Sequence, residues 1–472
     1  MTPLPAPFAA LADLTALAGL TGLAVLAGCE EKPPAEPVAY DTGVYCDPTL
    51  TEVAVSGASA APHPDFGSLI TARWRQERAG SAWVSFSVDG GEWQSSPART
   101  VEVGDAEALI LGVPYGGSVS WRVVNDFCGG PLFGEEQTAS AEPRPSWVPT
   151  PASLDGDPLR WDDGARYFLT SMHQADDDNL YVSFIFDRQG QVVWARQHPR
   201  YTTTLHPRLS YDGTELLLDS NTWWSLFDAS QSEVHRMKID GSGLVEHPTP
   251  GLHHPFFETA DGALLWGAFD GADELLMELS PGEALPREIW SCQATLDELI
   301  IAGQCASNTV TWSPLTDRVL FSFYTLETVF EIDRASGETL RWFGHLPGSW
   351  DFDPPSSRFW WQHGGHYLDS GHLLISAHLS GEGEETVVRE YRLDEANEAL
   401  VEVWSFGVGL GVHGEEMGEP HRLTGGNTLH NYGTTARLRE ATPAGEVVWD
   451  IAWDQLYIGR STPFNDLYDL AP

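Results

Sequence analysis

The chain has 472 residues, with 26 Lys and Arg against 68 Asp and Glu, so its formal net charge is −42 at pH 7. A chain this acidic lacks the basic patches that bind nucleic-acid phosphates, and anionic lipid surfaces repel it. Its 42% hydrophobic content is ample for a folded core, while 19 Trp, 46 Gly and 32 Pro favour a turn-rich β protein.

The N-terminal segment resembles a bacterial lipoprotein signal. Residues 8–28 form an apolar run of small residues that ends at Cys29, although Asp13 interrupts it and no Lys or Arg precedes it. The alternatives are an ordinary secretory signal or an uncleaved helix. We expect a signal peptide over 1–28, a lipid on Cys29 and a Pro-rich tether over 29–46.

This N-terminus predicts an exported protein. It would be anchored to the outer membrane or the cell surface, or be periplasmic if no lipid is attached. The lipid would be its only contact with a membrane. Five cysteines are present, and an even number of four remains once Cys29 is set aside. Three pairings are possible, and sequence order favours Cys46 with Cys128 and Cys292 with Cys305 in an oxidising compartment.

Residues 47–143 read as a small β domain. Short runs such as 82–88 and 118–124 alternate apolar and polar residues without helical periodicity, and an Asp-Gly-Gly turn stands at 89–91. The pattern predicts a β-sandwich that resembles fibronectin type III. A Pro-rich joint at 142–145 then closes the domain.

Residues 147–472 repeat. A turn followed by an apolar strand recurs six times at intervals of 49 to 55 residues, and each unit carries a second hairpin that often ends in Trp. The turns begin at Asp163, Asp212, Asp261, Thr316, Ser370 and Gly425. Two hairpins make four strands, so six units predict a six-bladed β-propeller. A β-helix or several sandwiches are the alternatives. The fold expected for the whole chain is therefore all-β, a propeller preceded by a sandwich.

Polar residues stand in phase within these units. Counting back ten residues from the apolar strand of the second, third and fifth units reaches a histidine each time, and eleven residues back in the fourth unit stands Asn308. The histidines are His206, His254 and His363, and the sixth unit adds His421. Residues on and just before the first strand of each blade converge on the central channel.

Two kinds of chemistry suit such a ring of imidazoles. One is a metal site, because neutral imidazole is a common ligand. The other is nucleophilic chemistry, in which an imidazole accepts a group while nearby donors stabilise the charge that develops. No pair of histidines comes with supporting carboxylates, so metal is the weaker reading. We expect no metal and no cofactor.

Three segments of the propeller are similar to the bacterial arylsulfate sulfotransferase family. They begin with NTVTWSPLTD at 308–344, FWWQHGGHYL at 359–378 and EPHRLTGGNT at 419–451, and the last ends in a PAGEVVWDI that is similar to the family's ending. The resemblance extends over about 160–460. It implies an exported six-bladed propeller that moves a sulfuryl group from a phenolic sulfate to a phenol through a sulfohistidine, without a nucleotide sulfate donor.

The resemblance also implies roles for individual residues. His363 falls on the family's Q-H motif and would be the nucleophile. His254 falls on its H-H motif and would contact the sulfate or assist proton transfer, and Asn308 is retained from a His-x-Asn motif. The residues expected to complete the substrate site are His253, His206, Tyr324, Arg358 and His421. The expected partner is thus a small aromatic sulfate or phenol, and the sequence indicates neither a nucleic-acid partner nor an oligomeric state.

Two positions depart from the family's pattern. Ala306 replaces the histidine of the His-x-Asn motif, and Tyr324 lies where the family has an arginine that holds sulfate. Sulfuryl transfer needs positive charge or hydrogen-bond donors at the sulfate oxygens. Either another arginine substitutes, or the substrate differs, or the site no longer performs this chemistry. The candidates near the histidines are Arg208, Arg358 and Arg422.

Other functions stay open because of these departures. The main alternative is a catalytically degenerate, surface-anchored propeller that binds a ligand or a partner. A metal-dependent or quinone-dependent propeller enzyme is a third possibility without a dedicated motif. The acidic run from Asp176 to Asp178 could bind Ca²⁺, although its composition is more typical of a solvated loop.

Overall fold

A computed structural model describes residues 47–174, 177–271, 273–381 and 384–472. The predicted signal peptide, the lipidation site Cys29, the tether with Cys46, and Asp176 lie outside the described residues. Within the described ranges, none of the helices has the length and apolar character needed to cross a membrane.

Nine short strands between residues 55 and 140 form two antiparallel sheets. They are β1 (Val55–Pro62), β2 (Ile70–Gln76), β3 (Gly80–Val88), β4 (Trp93–Ser95), β5 (Arg99–Val101), β6 (Gly104–Ile110), β7 (Ser118–Asp126), β8 (Pro131–Phe133) and β9 (Gln137–Ser140). One sheet has the order β1-β2-β6. The other has the order β4-β3-β7-β8, with β5 also paired to β3 and β9 to β7. Trp74, Phe86 and Trp121 are buried between the sheets, as a sandwich requires.

The first half of the propeller follows. Its strands are β10 (Ser153–Gly156), β11 (Tyr167–Gln174), β12 (Asp177–Asp187), β13 (Val192–Gln197), β14 (Arg208–Leu209), β15 (Leu216–Ser220), β16 (Glu233–Met237), β17 (Val245–Pro248), β18 (Leu252–Glu258), β19 (Leu264–Asp270), β20 (Asp273–Leu279) and β21 (Arg287–Ser291). Two helices interrupt the strands: α1 (Trp223–Leu226) and α2 (Cys292–Leu299).

The second half continues in the same manner. Its strands are β22 (Ser307–Ser313), β23 (Arg318–Phe323), β24 (Thr328–Asp333), β25 (Thr339–Gly344), β26 (Asp351–Asp353), β27 (Trp360–Tyr367), β28 (Leu373–His378), β29 (Thr386–Asp394), β30 (Ala399–Phe406), β31 (Glu419–Arg422), β32 (Thr428–Asn431), β33 (Arg437–Ala441), β34 (Val447–Ala452) and β35 (Thr462–Phe464). Short 3₁₀ turns lie at Pro158–Arg160, Tyr324–Leu326, Pro355–Ser357, Gly433–Thr435 and Leu467–Leu470.

These strands form six blades, which confirms the predicted propeller. Blades two, three and four are the consecutive sheets β14–β17, β18–β21 and β22–β25. Blade five is β27–β30 with β26 added in parallel outside β30, and blade six is β31–β34. The apolar strands found in the sequence are the second strands of the blades, and the strand that lines the channel comes before each turn. Both faces of these second strands are buried, as the five residues of β15 show.

The two ends of the repeat region close the ring. Blade one has the order β13-β12-β11-β35, so its innermost strand comes from the C-terminal segment. β10 adds an outer fifth strand to blade six by pairing with β34. Phe168 of blade one then stacks on Trp449 of blade six, with ring centroids 4.9 Å apart. The first and last blades are thereby joined by two strand pairings and by a shared aromatic core.

The sandwich packs directly on the propeller. Phe66 stacks on Trp194 of blade one at 5.5 Å, and the Ser68 hydroxyl donates to the Val193 carbonyl at 2.8 Å. From the other side, the Tyr468 hydroxyl donates to the carbonyl of Leu109 at 3.1 Å. This contact is buried and apolar, unlike a flexible linker between independent domains.

One predicted disulfide is present among the described residues. Cys292, the first residue of α2, is bonded to Cys305, which lies just before β22. The bond ties α2 to the segment that enters the channel strand of blade four. Cys128 is also disulfide-bonded, and its predicted partner Cys46 lies outside the described residues.

Candidate functional site

A cavity of about 290 Å³ opens at one end of the channel, and we call it the channel cavity. Five of the residues predicted for the site line it: His206, His254, Asn308, Tyr324 and His363. They come from the segment before β14, from β18, β22 and β27, and from the turn after β23. The regular spacing in the sequence therefore brings the three histidines and Asn308 to one place, and Tyr324, which was predicted from the family resemblance, joins them.

Irregularities in the channel strands turn the side chains toward the cavity. The pairing register shifts between Leu252 and Phe256 in β18, around Asn308 in β22, and on both sides of His363 in β27. A β-bulge bends a strand and re-aims the residue it contains. Three adjacent blades thus have a bulge where a candidate site residue stands.

His363 is held as a neutral imidazole with one free nitrogen. Its Nδ1–H donates to the carbonyl oxygen of Trp361 at 3.0 Å, and this acceptor requires the proton to be on Nδ1. Burial, and next the charge of Arg460, lower the pKa of His363 to about 3. The Nε2 lone pair is therefore available at neutral pH, as a nucleophile requires.

The backbone before His363 is strained at Trp361, the residue whose carbonyl accepts the hydrogen bond from His363. Trp361 has a φ of +48°, a left-handed conformation that is unfavourable for a bulky residue. Gln362 fixes the next position through two hydrogen bonds. Its side-chain amide donates to the Phe323 carbonyl at 3.0 Å, and its backbone carbonyl accepts from the side-chain amide of Asn308 at 2.7 Å. Blade four and blade five are held together by these hydrogen bonds beside His363.

The other two histidines of the cavity are also neutral. Burial lowers the pKa of His254 well below its usual value, and it lowers the pKa of His206 to about 4. The backbone N–H of His206 donates to Asp219 at 3.0 Å, which fixes the chain there. Nδ1 of His254 is buried and has no hydrogen-bond partner among the described residues.

Arg460 is the site residue that the sequence did not reveal. Its side chain is 1% exposed and lines the cavity, where Nη2 donates to the Asn308 carbonyl at 2.8 Å and to the Thr309 hydroxyl at 2.7 Å. Burial lowers the pKa of Arg460 to about 10, so the guanidinium remains charged at neutral pH. Its Nε–H is buried without a partner among the described residues.

The reason Arg460 was missed lies in the ring closure. It stands two residues before β35, the C-terminal strand that completes blade one. The sequence contains one indication of this closure. The first repeat unit has no strand-like segment before the turn at Asp163, so its inner strand has to come from elsewhere in the chain.

Of the arginines suggested from the sequence as substitutes, Arg208 contacts Glu419 at 2.9 Å, and Nη1 of Arg460 lies 3.4 Å from the same carboxylate.

Three predicted site residues do not line the cavity. His253 contacts Glu274 at 2.9 Å, because successive residues of a strand point to opposite sides and His254 already faces the channel. Arg358 stacks over Phe352, 5.4 Å from the ring centroid. His421 lies 3.2 Å from Glu419, the carboxylate behind Arg460. Arg422, a suggested substitute, instead forms an ion pair with Glu390.

Aromatic side chains form the cavity walls. Trp361 lies 6.0 Å from Tyr324 between ring centroids, and Trp224 meets His254 edge-on at 5.3 Å. The hydroxyls of Tyr181 and Tyr457 are hydrogen-bonded to each other on the blade-one side. These walls suit a flat aromatic ligand, and the hydroxyl of Tyr324 stays protonated because burial raises its pKa.

A cluster of side chains that could hold a metal ion lies away from the channel cavity. Among the described residues, the group of three side chains with suitably close ligand atoms is Glu233, His235 and Glu246. All three belong to β16 and β17, the outer strands of blade two, and none of them lines the cavity.

The fold and the site define a β-propeller whose channel holds neutral imidazoles, a buried guanidinium and aromatic walls. No protein-family model and no curated protein matches the chain. A protein of unknown function from Bacteroides caccae is 16% identical, with a TM-score of 0.45 over 64% of this chain and 100% of that one. The periplasmic gluconolactonase of Pseudomonas aeruginosa is 14% identical, with a TM-score of 0.38 over 81% and 99%. Virginiamycin B lyase from Staphylococcus aureus is 13% identical, with a TM-score of 0.36 over 66% and 99%.

Proposed function

We propose that the chain is a sulfotransferase that moves a sulfuryl group from an aryl sulfate to a phenol through His363. The observation that carries the proposal is that His363, with its proton fixed on Nδ1, shares the cavity with the charged Arg460. A nucleophile and a cation for the sulfate oxygens are the two requirements of the reaction. The similarity to arylsulfate sulfotransferases, in the segments quoted above, supports the same activity.

In the first half-reaction, Nε2 of His363 attacks the sulfur of the donor. The bond from sulfur to the phenolic oxygen breaks, a phenolate leaves, and the imidazole now carries the sulfuryl group while Nδ1 keeps its proton. Arg460 and the hydroxyl of Tyr324 stabilise the charge on the oxygens of the transferring group. The Trp361 carbonyl, which accepts from Nδ1, stabilises the positive charge that the ring acquires.

In the second half-reaction, an acceptor phenol occupies the place of the departed phenolate. Neutral His254 takes the phenolic proton as the oxygen attacks sulfur, and the bond between sulfur and Nε2 breaks. His363 returns to its starting state, and the proton passes from His254 to solvent. Because burial keeps the pKa of His254 low, the imidazolium releases this proton readily.

We further propose that the protein works outside the cytoplasm. The bond between Cys292 and Cys305 supports an oxidising compartment, in which such bonds persist. Lipidation of Cys29 would hold the chain at the outer membrane or cell surface. Mass spectrometry of the mature N-terminus tests this part, since an unmodified N-terminus elsewhere than Cys29 would contradict it.

A binding function is the second candidate, and Ala306 with Tyr324 favours it. These are the positions at which the family's histidine and arginine are missing. A propeller with the same cavity would then bind an aryl sulfate without turning it over. The two candidates differ in whether a sulfuryl group ever becomes attached to His363.

The deciding experiment incubates the purified mature protein with p-nitrophenyl sulfate and phenol. We expect release of p-nitrophenol, and a mass increase of one sulfuryl group on the peptide that contains His363 when the acceptor is omitted. His363→Ala should abolish both, whereas His372→Ala, which changes a histidine at the turn before β28 outside the cavity, should abolish neither. Saturable quenching of tryptophan fluorescence by the sulfate without any turnover would instead establish the binding function.

A further inference from the structure

The channel cavity is electrically asymmetric. Once its histidines are taken as neutral, the described residues that line it include two with a full charge at neutral pH, Arg460 and Glu416. Arg460 is 1% exposed and lies deep in the channel, whereas Glu416 is an exposed residue on the loop between β30 and β31. A cation therefore lies at the base of the cavity and a carboxylate at its mouth.

Glu416 is held in place through its backbone. Its N–H donates to the Thr434 hydroxyl at 3.2 Å, and its carbonyl accepts from the N–H of Thr434 at 3.3 Å. Gly433 has a φ of +53° and packs so closely on the Glu416 carbonyl that an added Cβ would collide with it. The loop is thus fastened to blade six, which fixes where the carboxylate stands.

No ion pair between the Glu416 carboxylate and an Arg, Lys or His occurs within the described part of the chain. Its charge does act across the mouth, because Glu416 helps burial to raise the pKa of Tyr324. Although Glu416 is exposed, the loop and cavity wall around it remove part of its hydration; this desolvation, and next the adjacent Glu415, raise the pKa of Glu416, as expected for a carboxylate without a cation beside it.

Resting on the proposed function, we infer that the preferred substrates are aryl sulfates and phenols that carry a cationic group opposite the reacting oxygen. With the sulfuryl group at His363 and Arg460, the ring lies between the aromatic walls and its far substituent points to Glu416. An ammonium group there pairs with the carboxylate and contacts the face of Trp361 or Tyr324. A carboxylate in the same place meets like charge, and the net charge of −42 adds to that repulsion.

The test compares three acceptors of similar size with p-nitrophenyl sulfate as the donor: tyramine, p-cresol and 4-hydroxyphenylpropionate. The expected order of kcat/KM is tyramine, then p-cresol, then the anion, with about a threefold to fivefold step for a partly exposed ion pair. Glu416→Gln should bring the three values together. Glu415→Gln, which removes the neighbouring exposed carboxylate that does not line the cavity, is the matched control and should keep the order.

Equal kcat/KM values in the unmodified protein, or a preference for tyramine that survives Glu416→Gln, would overturn the inference. If no acceptor is turned over, the proposed function fails while the inference is still decided by binding. Titration of tryptophan fluorescence with tyramine O-sulfate and p-cresyl sulfate then replaces kinetics. Tighter binding of the cationic sulfate that is lost in Glu416→Gln supports the inference, and equal affinities refute it.

Discussion

In the channel cavity, the guanidinium of Arg460 lies among histidines that are neutral. Burial keeps His206, His254 and His363 neutral, so in this part of the cavity the positive charge for an anionic ligand comes from Arg460. The carboxylate of Glu419 is shared between Arg460 and Arg208, which keeps this group oriented and leaves a net positive charge. The proposed function therefore depends on one residue that no family motif identifies.

Arg460→Met should lower kcat/KM for p-nitrophenyl sulfate by about 10²–10³, the usual loss when one donor to a transition state is removed. The pH dependence should change as well. Because only neutral His363 can attack, activity is lost as the pH falls through the pKa of His363, which is about 3 in the intact protein. Without the cation this pKa rises toward its ordinary value, so the acidic limb of the rate profile moves upward. Steady-state rates between pH 4 and pH 8 measure both effects.

The control for this prediction is Arg392→Met, which removes an exposed arginine of β29 and should change neither quantity. Because Arg460 is buried, its removal leaves the buried carboxylate of Glu419 with one cationic partner fewer and can destabilise the fold. Melting temperatures of both variants therefore separate a chemical effect from a loss of folding. A variant at position 460 that stays folded and keeps the original rate and pH profile would show that Arg460 does not hold the sulfate.

At the scale of the element, the bulged strand β27 sets the geometry of His363. Gly364 follows His363 with a φ of +60°, and its N–H donates to the Thr309 hydroxyl at 3.0 Å. That same hydroxyl accepts from Arg460, so the strand of blade five and the guanidinium from the C-terminal segment meet at one atom. The space at Gly364 is limited, since an added Cβ would lie 2.7 Å from the Gly418 carbonyl oxygen.

Gly364→Ala should therefore lower the free energy of unfolding by about 2–5 kcal/mol, because overpacking adds to the cost of a left-handed residue with a side chain. Gly371→Ala is the matched control. Gly371 has a φ of +79° but nothing within 4 Å of an added Cβ, so only the conformational cost of about 1–2 kcal/mol applies. Urea denaturation measures both, and equal losses in the two variants would contradict the tight packing of β27 against blade six.

Local sequence patterns predicted the elements and half of the site for identifiable reasons. The four-strand repeat has a nearly constant length, so His206, His254 and His363 could be counted into register from their distance to an apolar strand. The same counting selected His254, whereas His253 entered only through the resemblance to the family's H-H motif and lies outside the cavity lining, in contact with Glu274. Arg460 escaped because it reaches the cavity through the pairing of β35 with β11, nearly three hundred residues apart in the chain.

At the scale of the whole molecule, the C-terminal segment keeps the six blades in a closed ring. β35 completes blade one, and the 3₁₀ turn Leu467–Leu470 that follows it buries Leu467 and Leu470 in a core shared with Phe66 of the sandwich. The C-terminal segment thus performs two tasks, since it closes the propeller and joins it to the sandwich. Truncation can separate these tasks.

A chain that ends at Asp466 keeps β35 and loses only the last 3₁₀ turn, whereas a chain that ends at Ser461 loses both. We expect the first to lose several kcal/mol of unfolding free energy, from its missing core leucines, and still to bind p-nitrophenyl sulfate. The second should unfold at a lower urea concentration and bind the sulfate at least about tenfold more weakly, because the segment that carries Arg460 is no longer paired. Equal binding by the two chains would contradict a role for β35 in shaping the cavity.

The position of Arg460 has a consequence for the order of events in the cell. The segment that carries it is synthesised after the strands β10–β34. Until that segment pairs with β11, blade one has no inner strand and the channel cavity has no guanidinium from Arg460. If the proposed function is correct, the chain can therefore act on anionic esters only once the ring is complete, so that assembly of the propeller itself sets the time at which activity begins.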